Sequence, residues 1–123
     1  MISRTHRLSL IALLSFWILL FTATHIPGPE LPQVNVSDKL IHASAFFCLG
    51  LLLYTAFWVR GGKISGIWWK VLLILMVYGA FDEWTQQFVN RFTDVDDWMA
   101  DSLGAAIAVA AMSLVHFIKL RLE

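Results

Sequence analysis

Two carboxyl residues and one histidine lie inside long apolar runs, where charge is costly. Asp82 and Glu83 lie near the end of one run, and His42 lies near the start of another. Ionisable residues in such settings usually have a functional role. A histidine held by a carboxylate can act as a general base or acid, and carboxyl groups in apolar surroundings can transfer protons. We therefore predict that His42, Asp82 and Glu83 are catalytic.

Six further polar residues are placed to bind a substrate beside these three. They are Asp38, Lys39, Gln86, Arg91, Asp97 and Asp101. Lys39 and Arg91 supply positive charge for a phosphate group, which an arginine holds by two parallel hydrogen bonds. The carboxylates supply partners for the histidine and for these two cations.

The spacing places polar residues on the same helix faces as small residues. Side chains four positions apart share a face, and the polar pairs with this spacing are Asp38 with His42, Asp82 with Gln86, and Asp97 with Asp101. The same stripes continue through small residues, which allow close helix contact; these are Gly79, Gly104, Ala108 and Ala111. The polar pairs are therefore predicted to converge on one pocket.

A divalent metal ion is an alternative ligand of the same residues. One nitrogen and several oxygen ligands, a mixture that suits zinc, manganese or magnesium, are offered by His42, Asp82, Glu83, Asp97 and Asp101. The sequence has no spaced ligand pair such as HExxH, so no metal site is assigned. A purely structural polar network is a further alternative. In either case Asp94 and Asp96 are interpreted as solvated charges at a helix start.

Four apolar runs must position these residues. They cover residues 8–23, 40–59, 67–89 and 95–118, and a helix needs about 20 apolar residues to cross a bilayer core of about 30 Å. The composition agrees, since 59% of the residues are hydrophobic and only 15% are charged. We predict an all-α integral membrane bundle of four transmembrane helices that forms one domain over residues 1–123.

The connectors between the runs are short, and the first contains prolines at positions 27, 29 and 32, which exclude regular helix. Ser37 is expected to cap the second helix, and Thr93 or Asp94 the fourth. The first run also resembles a cleaved signal peptide, because two arginines precede it. The prolines leave its cleavage site poorly formed and favour a retained helix.

The charged residues are sorted by position along the chain. Seven of the nine Lys and Arg residues flank one set of helix ends: Arg4, Arg7, Arg60, Lys63, Lys70, Lys119 and Arg121. Eight of the nine acids lie towards the other set: Glu30, Asp38, Asp82, Glu83, Asp94, Asp96, Asp97 and Asp101. Because basic segments stay on the cytoplasmic side, both termini are predicted to be cytoplasmic and the polar site to face outward. The formal net charge of zero gives no sign of a nucleic-acid partner.

Three stretches of the chain resemble the VanZ-like family: DKLIHASAFFCLGLLL, GAFDEWTQQF and NRFTDVDDWMADSLGAAIA. The matching positions are Asp38, Lys39 and His42, then Asp82, Glu83 and Gln86, then Arg91, and finally Asp97 and Gly104. Asp101 stands where the family pattern has Asn, which adds an acid to the pocket. The resemblance spans about residues 38–108.

The resemblance implies a small multi-pass protein of the bacterial cytoplasmic membrane and a link to teicoplanin resistance, but no particular reaction. Our first hypothesis is a site that binds or processes the headgroup of an envelope lipid or lipid-linked glycan, with hydrolysis or transfer as the reaction class. The alternative is a non-enzymatic membrane factor that acts through lipid or through a partner membrane protein, with a second copy of the chain as one candidate partner. The sequence leaves open whether the protein is an enzyme.

Overall fold

The computed structural model describes residues 2–28 and 36–123, and it is α-helical without strands over these ranges. The helices are α1 (Arg4–Thr24), α2 (Asp38–Val59), α3 (Ile64–Gln86) and α4 (Val95–Leu122), and a 3₁₀ turn over Gln87–Val89 follows α3. Each of the four is long and apolar enough to cross a membrane, which confirms the predicted spans. Pro29, Glu30 and Pro32, which entered the expectations for the first connector, lie outside the described residues.

The helix ends follow from local capping. Asp94 precedes α4, and its side chain accepts a hydrogen bond of 2.8 Å from the backbone N–H of Asp96, as an N-cap should. Ser37 occupies the N-cap position of α2, but its side chain makes no capping hydrogen bond. After the 3₁₀ turn, Asn90 adopts a left-handed backbone conformation with φ of 58°. This residue type tolerates that conformation, which turns the chain from α3 towards α4.

Helix α2 contacts each of the other three helices, and its largest interface is with α4. Small residues bring these two helices together. A methyl group added at Gly104 would overlap the backbone carbonyl of Ala43, and one added at Gly50 would lie 2.7 Å from the Cβ atom of Ala108. The spacing between α2 and α4 therefore depends on glycine, as the predicted stripe of small residues requires.

The predicted stripe along α4 is correct at its start and wrong at its end. Gly104 and Ala108 are buried, whereas Ala111 is exposed. Further along α4 the buried positions are Val109 and His116. The buried face thus rotates around α4 along its length, because helices that cross at an angle do not keep the same residues in contact.

The outer surface of the bundle is apolar along much of its length. Large side chains that point away from the core include Ile18, Leu40, Leu73, Val77 and Leu103. A soluble monomer rarely exposes so much contiguous apolar surface. This surface therefore suits contact with lipid, in agreement with four membrane-spanning helices.

Candidate functional site

The polar residues predicted from the sequence gather at one end of the bundle. This acidic end comprises the first turns of α2 and α4, the last two turns of α3 and the connector before α4 (residues 38–42, 82–86 and 93–101). Six of the nine candidate residues are at most 6% exposed: His42, Asp82, Glu83, Gln86, Asp97 and Asp101. Asp38 is exposed, and Lys39 and Arg91 are partly buried.

His42 lies at the centre of the acidic end, between carboxylates on three helices. Its Nδ1 atom is 2.9 Å from Asp101 Oδ1 and 4.0 Å from Glu83 Oε1. Its Nε2 atom is 3.7 Å from Asp97 Oδ2 and 4.0 Å from Asp38 Oδ1. Nδ1 therefore faces the two buried carboxylates of Asp101 and Glu83, and Nε2 faces Asp97 and the exposed Asp38.

The contact between His42 Nδ1 and Asp101 Oδ1 is within hydrogen-bond distance. A carboxylate on one ring nitrogen fixes the orientation of an imidazole and leaves the other nitrogen available. In His42 the available nitrogen is Nε2, which points towards Asp38 and Asp97.

Lys39 is neutralised within the protein by two carboxylates of the α4 start. Its Nζ atom donates a hydrogen bond of 2.6 Å to Asp94 Oδ2 and a second, short one to Asp97 Oδ1. The ammonium group lowers the pKa of Asp94, chiefly through the hydrogen bond, and the backbone N–H of Asp96 adds to this effect. Asp94 is therefore a charge at the start of α4, as predicted, with a side chain that is 45% exposed, and in addition it pairs with Lys39; Asp96 is exposed.

Glu83 is held by the connector that leads into α4. Its Oε2 atom accepts a hydrogen bond of 3.1 Å from the backbone N–H of Asp94, and the Thr93 hydroxyl donates to its backbone carbonyl over 3.2 Å. The side chain of Gln86 donates to Glu83 Oε1 over 3.4 Å and to Asp82 Oδ2 over 3.1 Å. Gln86 thus joins the His42 surroundings to a second polar group around Asp82.

Asp82 is fully engaged by hydrogen-bond donors. Besides Gln86, its carboxylate accepts from the Thr24 hydroxyl at 3.1 Å and from the Tyr78 hydroxyl at 3.2 Å. Neither Thr24 nor Tyr78 was predicted from the sequence. Tyr78 was detectable, since it lies four positions before Asp82 on the same helix face, but nothing in the sequence relates Thr24 to a residue 58 positions later.

The C-cap of α1 supplies one further residue that sequence reasoning missed, His25. His25 lies with Nε2 2.9 Å from the Thr85 hydroxyl and Nδ1 3.9 Å from Asp82 Oδ1. Arg91, predicted to bind substrate, donates from Nη1 to the backbone carbonyl of Thr24 over 2.9 Å. The structure therefore brings eight of the nine candidates into one polar network, and it places the guanidinium of Arg91 against α1.

Two sets of side chains could each hold a metal ion. Asp38, His42 and Asp97 form one set, and His42, Glu83 and Asp101 form the other; within each set, ligand atoms lie within 4.8 Å of one another. Asp82, which the sequence offered as a weak metal candidate, belongs to neither set in the described residues. Its oxygens accept hydrogen bonds from Thr24 and Gln86 instead.

Comparisons with known proteins agree with the family resemblance and extend it to α1. The model of the VanZ/LLP1 family matches residues 3–116. An uncharacterized protein of the fission yeast Schizosaccharomyces pombe is 32% identical over 111 residues, which is 88% of this chain; the chain spans 65% of the length of that relative. No solved structure matches the chain significantly. With most of its length matched, the chain belongs to the VanZ/LLP1 family.

Proposed function

We propose that the protein binds and processes the phosphate-bearing headgroup of an envelope lipid or lipid-linked glycan at the acidic end. The observation that carries this proposal is the position of His42, whose Nδ1 is held by Asp101 at 2.9 Å while Nε2 points towards the exposed Asp38. A buried imidazole with one nitrogen held by a carboxylate and the other directed at an exposed residue can transfer protons or bind a cation. Both chemistries suit reactions at phosphate esters.

The reaction class is hydrolysis or transfer at the phosphate. In hydrolysis, water adds to phosphorus, the bond from phosphorus to the leaving oxygen breaks, and one proton of the water ends on that oxygen. The carboxylates around His42 are placed to accept and return this proton. Lys39 at the rim holds two of the surrounding carboxylates, those of Asp94 and Asp97, in place. In transfer, a hydroxyl group of a second substrate takes the place of water.

The orientation of the chain sets which headgroups reach the site. Arg60 and Lys63 lie in the connector at the end of the bundle opposite the acidic end, together with both termini. The positive-inside rule then makes that end cytoplasmic. In a bacterial cytoplasmic membrane the acidic end faces outward and meets lipids of the outer leaflet. A change in such headgroups would connect the protein to the teicoplanin resistance implied by the VanZ resemblance.

A non-enzymatic role is the second candidate, and the hydrogen bonding of Asp82 favours it. This carboxylate is almost completely buried and accepts from Thr24, Tyr78 and Gln86, as expected of a satisfied structural network. In that role the acidic end binds a lipid or a partner membrane protein, or a second copy of the chain, without turnover.

The test is product release by purified protein in vesicles that contain a polyprenyl-diphosphate-linked glycan, with glycerophospholipid vesicles as a second substrate. His42→Gln should lower the rate at least about 100-fold, the lower range for loss of acid–base catalysis. His116→Gln is the matched control, because His116 is equally buried at the other end. Equal rates for His42→Gln and the wild type would overturn the proposal, and binding without product by the wild type would establish the non-enzymatic role.

A further inference from the structure

We infer that Asp38, His42 and Asp97 form a binding site for a divalent metal ion, with His42 Nε2 as the nitrogen ligand and Asp101 as the residue that orients the imidazole. The inference of the metal site depends only on the geometry of these four residues. The identity of the molecule that the ion meets, a phosphate-bearing headgroup, rests on the proposed function.

The Nε2 atom of His42, which faces Asp38 and Asp97, has no hydrogen-bond partner among the described residues. His42 is 6% exposed, yet within the described part of the chain Nε2 approaches only Asp97 Oδ2 at 3.7 Å and Asp38 Oδ1 at 4.0 Å. Both distances are too long for a hydrogen bond. They suit two ligands of one ion, because bonds of about 2.0–2.2 Å from zinc to nitrogen and oxygen place neighbouring ligand atoms between 3 and 4 Å apart at roughly tetrahedral or wider angles.

The other ring nitrogen has the partner that a metal-bound histidine needs. Metal-ligating histidines usually donate their second N–H to a carboxylate or carbonyl, which fixes the tautomer and raises the basicity of the ligand. His42 Nδ1 lies 2.9 Å from Asp101 Oδ1. In the neutral tautomer with its proton on Nδ1, this N–H donates to the carboxylate and the lone pair for an ion is on Nε2. Asp101 therefore acts on the ion through His42, as a positioning residue.

The two oxygens of Asp97 are divided between two tasks. Oδ1 accepts from Lys39, and Oδ2 faces His42. Lys39 thereby holds the carboxylate in place without occupying the oxygen that would bind the ion. Asp38 is exposed and four residues before His42 on the same helix face, so it closes the site from the side of the solvent and can leave coordination positions open.

The charges around His42 also require a cation if an anionic headgroup is to approach. Asp38, Glu83, Asp97 and Asp101 all lie within 4.0 Å of the imidazole. Among the described residues Lys39 is the cation that pairs with this group, and it is already bound to Asp94 and Asp97. A bound divalent ion is often the largest local charge in a site; here it would reduce the repulsion and polarise a phosphate oxygen as a Lewis acid.

The ligand set indicates which ions to test. One imidazole and two carboxylates suit Zn²⁺ and Mn²⁺ better than Ca²⁺ or Mg²⁺, which prefer oxygen ligands alone. We expect one saturable site per chain for Mn²⁺, observed by electron paramagnetic resonance on purified protein stripped of metal, and competition by Zn²⁺ at that site.

Substitutions separate a metal site from a general attraction of cations to acids. His42→Gln and Asp97→Asn should weaken Mn²⁺ affinity at least tenfold, and Asp101→Asn should weaken it about 10- to 100-fold, as for orienting residues at other metal sites. Asp96→Asn is the matched control: it removes an exposed acid one position before Asp97 and should leave the affinity unchanged. Asp38→Asn lies at the exposed rim and tests the site if a buried variant fails to fold.

Unsaturable Mn²⁺ binding, or equal affinities for wild type and Asp38→Asn or His42→Gln, would overturn the inference. The two proposals fail separately. If the protein processes the headgroup at full rate in a chelator, with no ion bound, the metal inference fails and the proposed function stands. If the protein has a saturable Mn²⁺ site but acts on no headgroup, the proposed function fails and the metal inference stands.

Discussion

Two buried histidines at opposite ends of the bundle have different surroundings. His42, near the start of α2, has carboxylates of Asp38, Glu83, Asp97 and Asp101 within 4.0 Å. His116, near the end of α4, is 3% exposed and lies 3.3 Å from the Tyr54 hydroxyl, with its ring stacked on Trp58 at 4.4 Å. Burial is thus shared, and only the neighbours distinguish a candidate reactive group from a packed one.

The difference extends to the cations nearby. Lys39 at the acidic end binds two carboxylates, whereas Lys119 at the other end lies over the ring of Trp58, 5.2 Å from its centroid. An aromatic face binds an ammonium ion weakly at an exposed position, and the carboxylate 3.8 Å from Lys119, that of Glu123, is itself exposed. The end around His116 therefore combines aromatic and basic residues, a composition typical of membrane interfaces, whereas the acidic end gathers carboxylates around one histidine and one lysine.

The largest effect should come from breaking the contact that holds α2 against α4. Gly104→Ala places a methyl group on the Ala43 carbonyl, so α4 must shift, at a cost of about 1–3 kcal/mol for overpacking. His42 and Asp101 should separate, with loss of activity and a lower Tm measured in detergent. Gly66→Ala is the control, because a methyl group at Gly66 meets open space. A Gly104→Ala protein with wild-type Tm and activity would contradict this account of the spacing.

Asp82→Asn should separate structure from catalysis at the acidic end. An amide cannot accept on its nitrogen side, so at least one of the donors Thr24, Tyr78 and Gln86 is left without a partner. The expected loss is about 1–3 kcal/mol of folding free energy, measured by denaturant titration, while the Mn²⁺ site persists. If the variant folds like the wild type and loses only headgroup processing, Asp82 is catalytic, as the sequence predicts.

Tyr54→Phe tests the difference between the two histidines at the end of the bundle around His116. It removes the hydroxyl group that lies 3.3 Å from His116 Nδ1 and keeps the ring in the core. We expect a loss of about 1 kcal/mol, the usual net contribution of one hydrogen bond, with activity unchanged. A strong loss of activity would show that the His116 end takes part in function and that the two histidines are less different than their surroundings indicate.

Asp94→Ala should have the smallest effect, confined to stability. The variant loses the α4 cap and one partner of Lys39, so Tm should fall slightly, and Asp96→Ala should change it less. Because the pKa of Asp94 is lower in the folded state, its stabilising contribution is present above the unfolded pKa and is lost as the pH falls through the folded pKa. The Tm difference between wild type and variant should therefore shrink on acidification, and a constant difference would contradict it.

The helices and the acidic end could be predicted from the sequence because both depend on local patterns. Apolar runs of the required length define spans, and polar residues four apart share a face. The same patterns predicted that Asp38 and His42 would lie together, and their closest atoms are 4.0 Å apart.

The partners across the bundle could not be predicted in the same way. Lys39 with Asp94, Thr24 with Asp82 and Arg91 with Thr24 join residues 55, 58 and 67 positions apart. Periodicity does not relate such positions, because it reports which face a residue occupies and not which residue meets it. The interpretation of Asp94 as a solvated charge at a helix start missed its pairing with Lys39 for this reason, since this partner lies on another helix.

The long separations in the chain have a consequence for biosynthesis. The contacts of His42 with Asp101, of Asp82 with Thr24 and of Arg91 with Thr24 each join an early helix to residues made 58 to 67 positions later. The contact of His42 with Asp101 cannot form until α4 has left the ribosome and entered the bilayer, whereas the two contacts of Thr24 require the chain only as far as Arg91. A nascent chain that stalls or is truncated before α4 would therefore carry His42 without Asp97 and Asp101, and reactivity at the acidic end would be withheld until translation is complete.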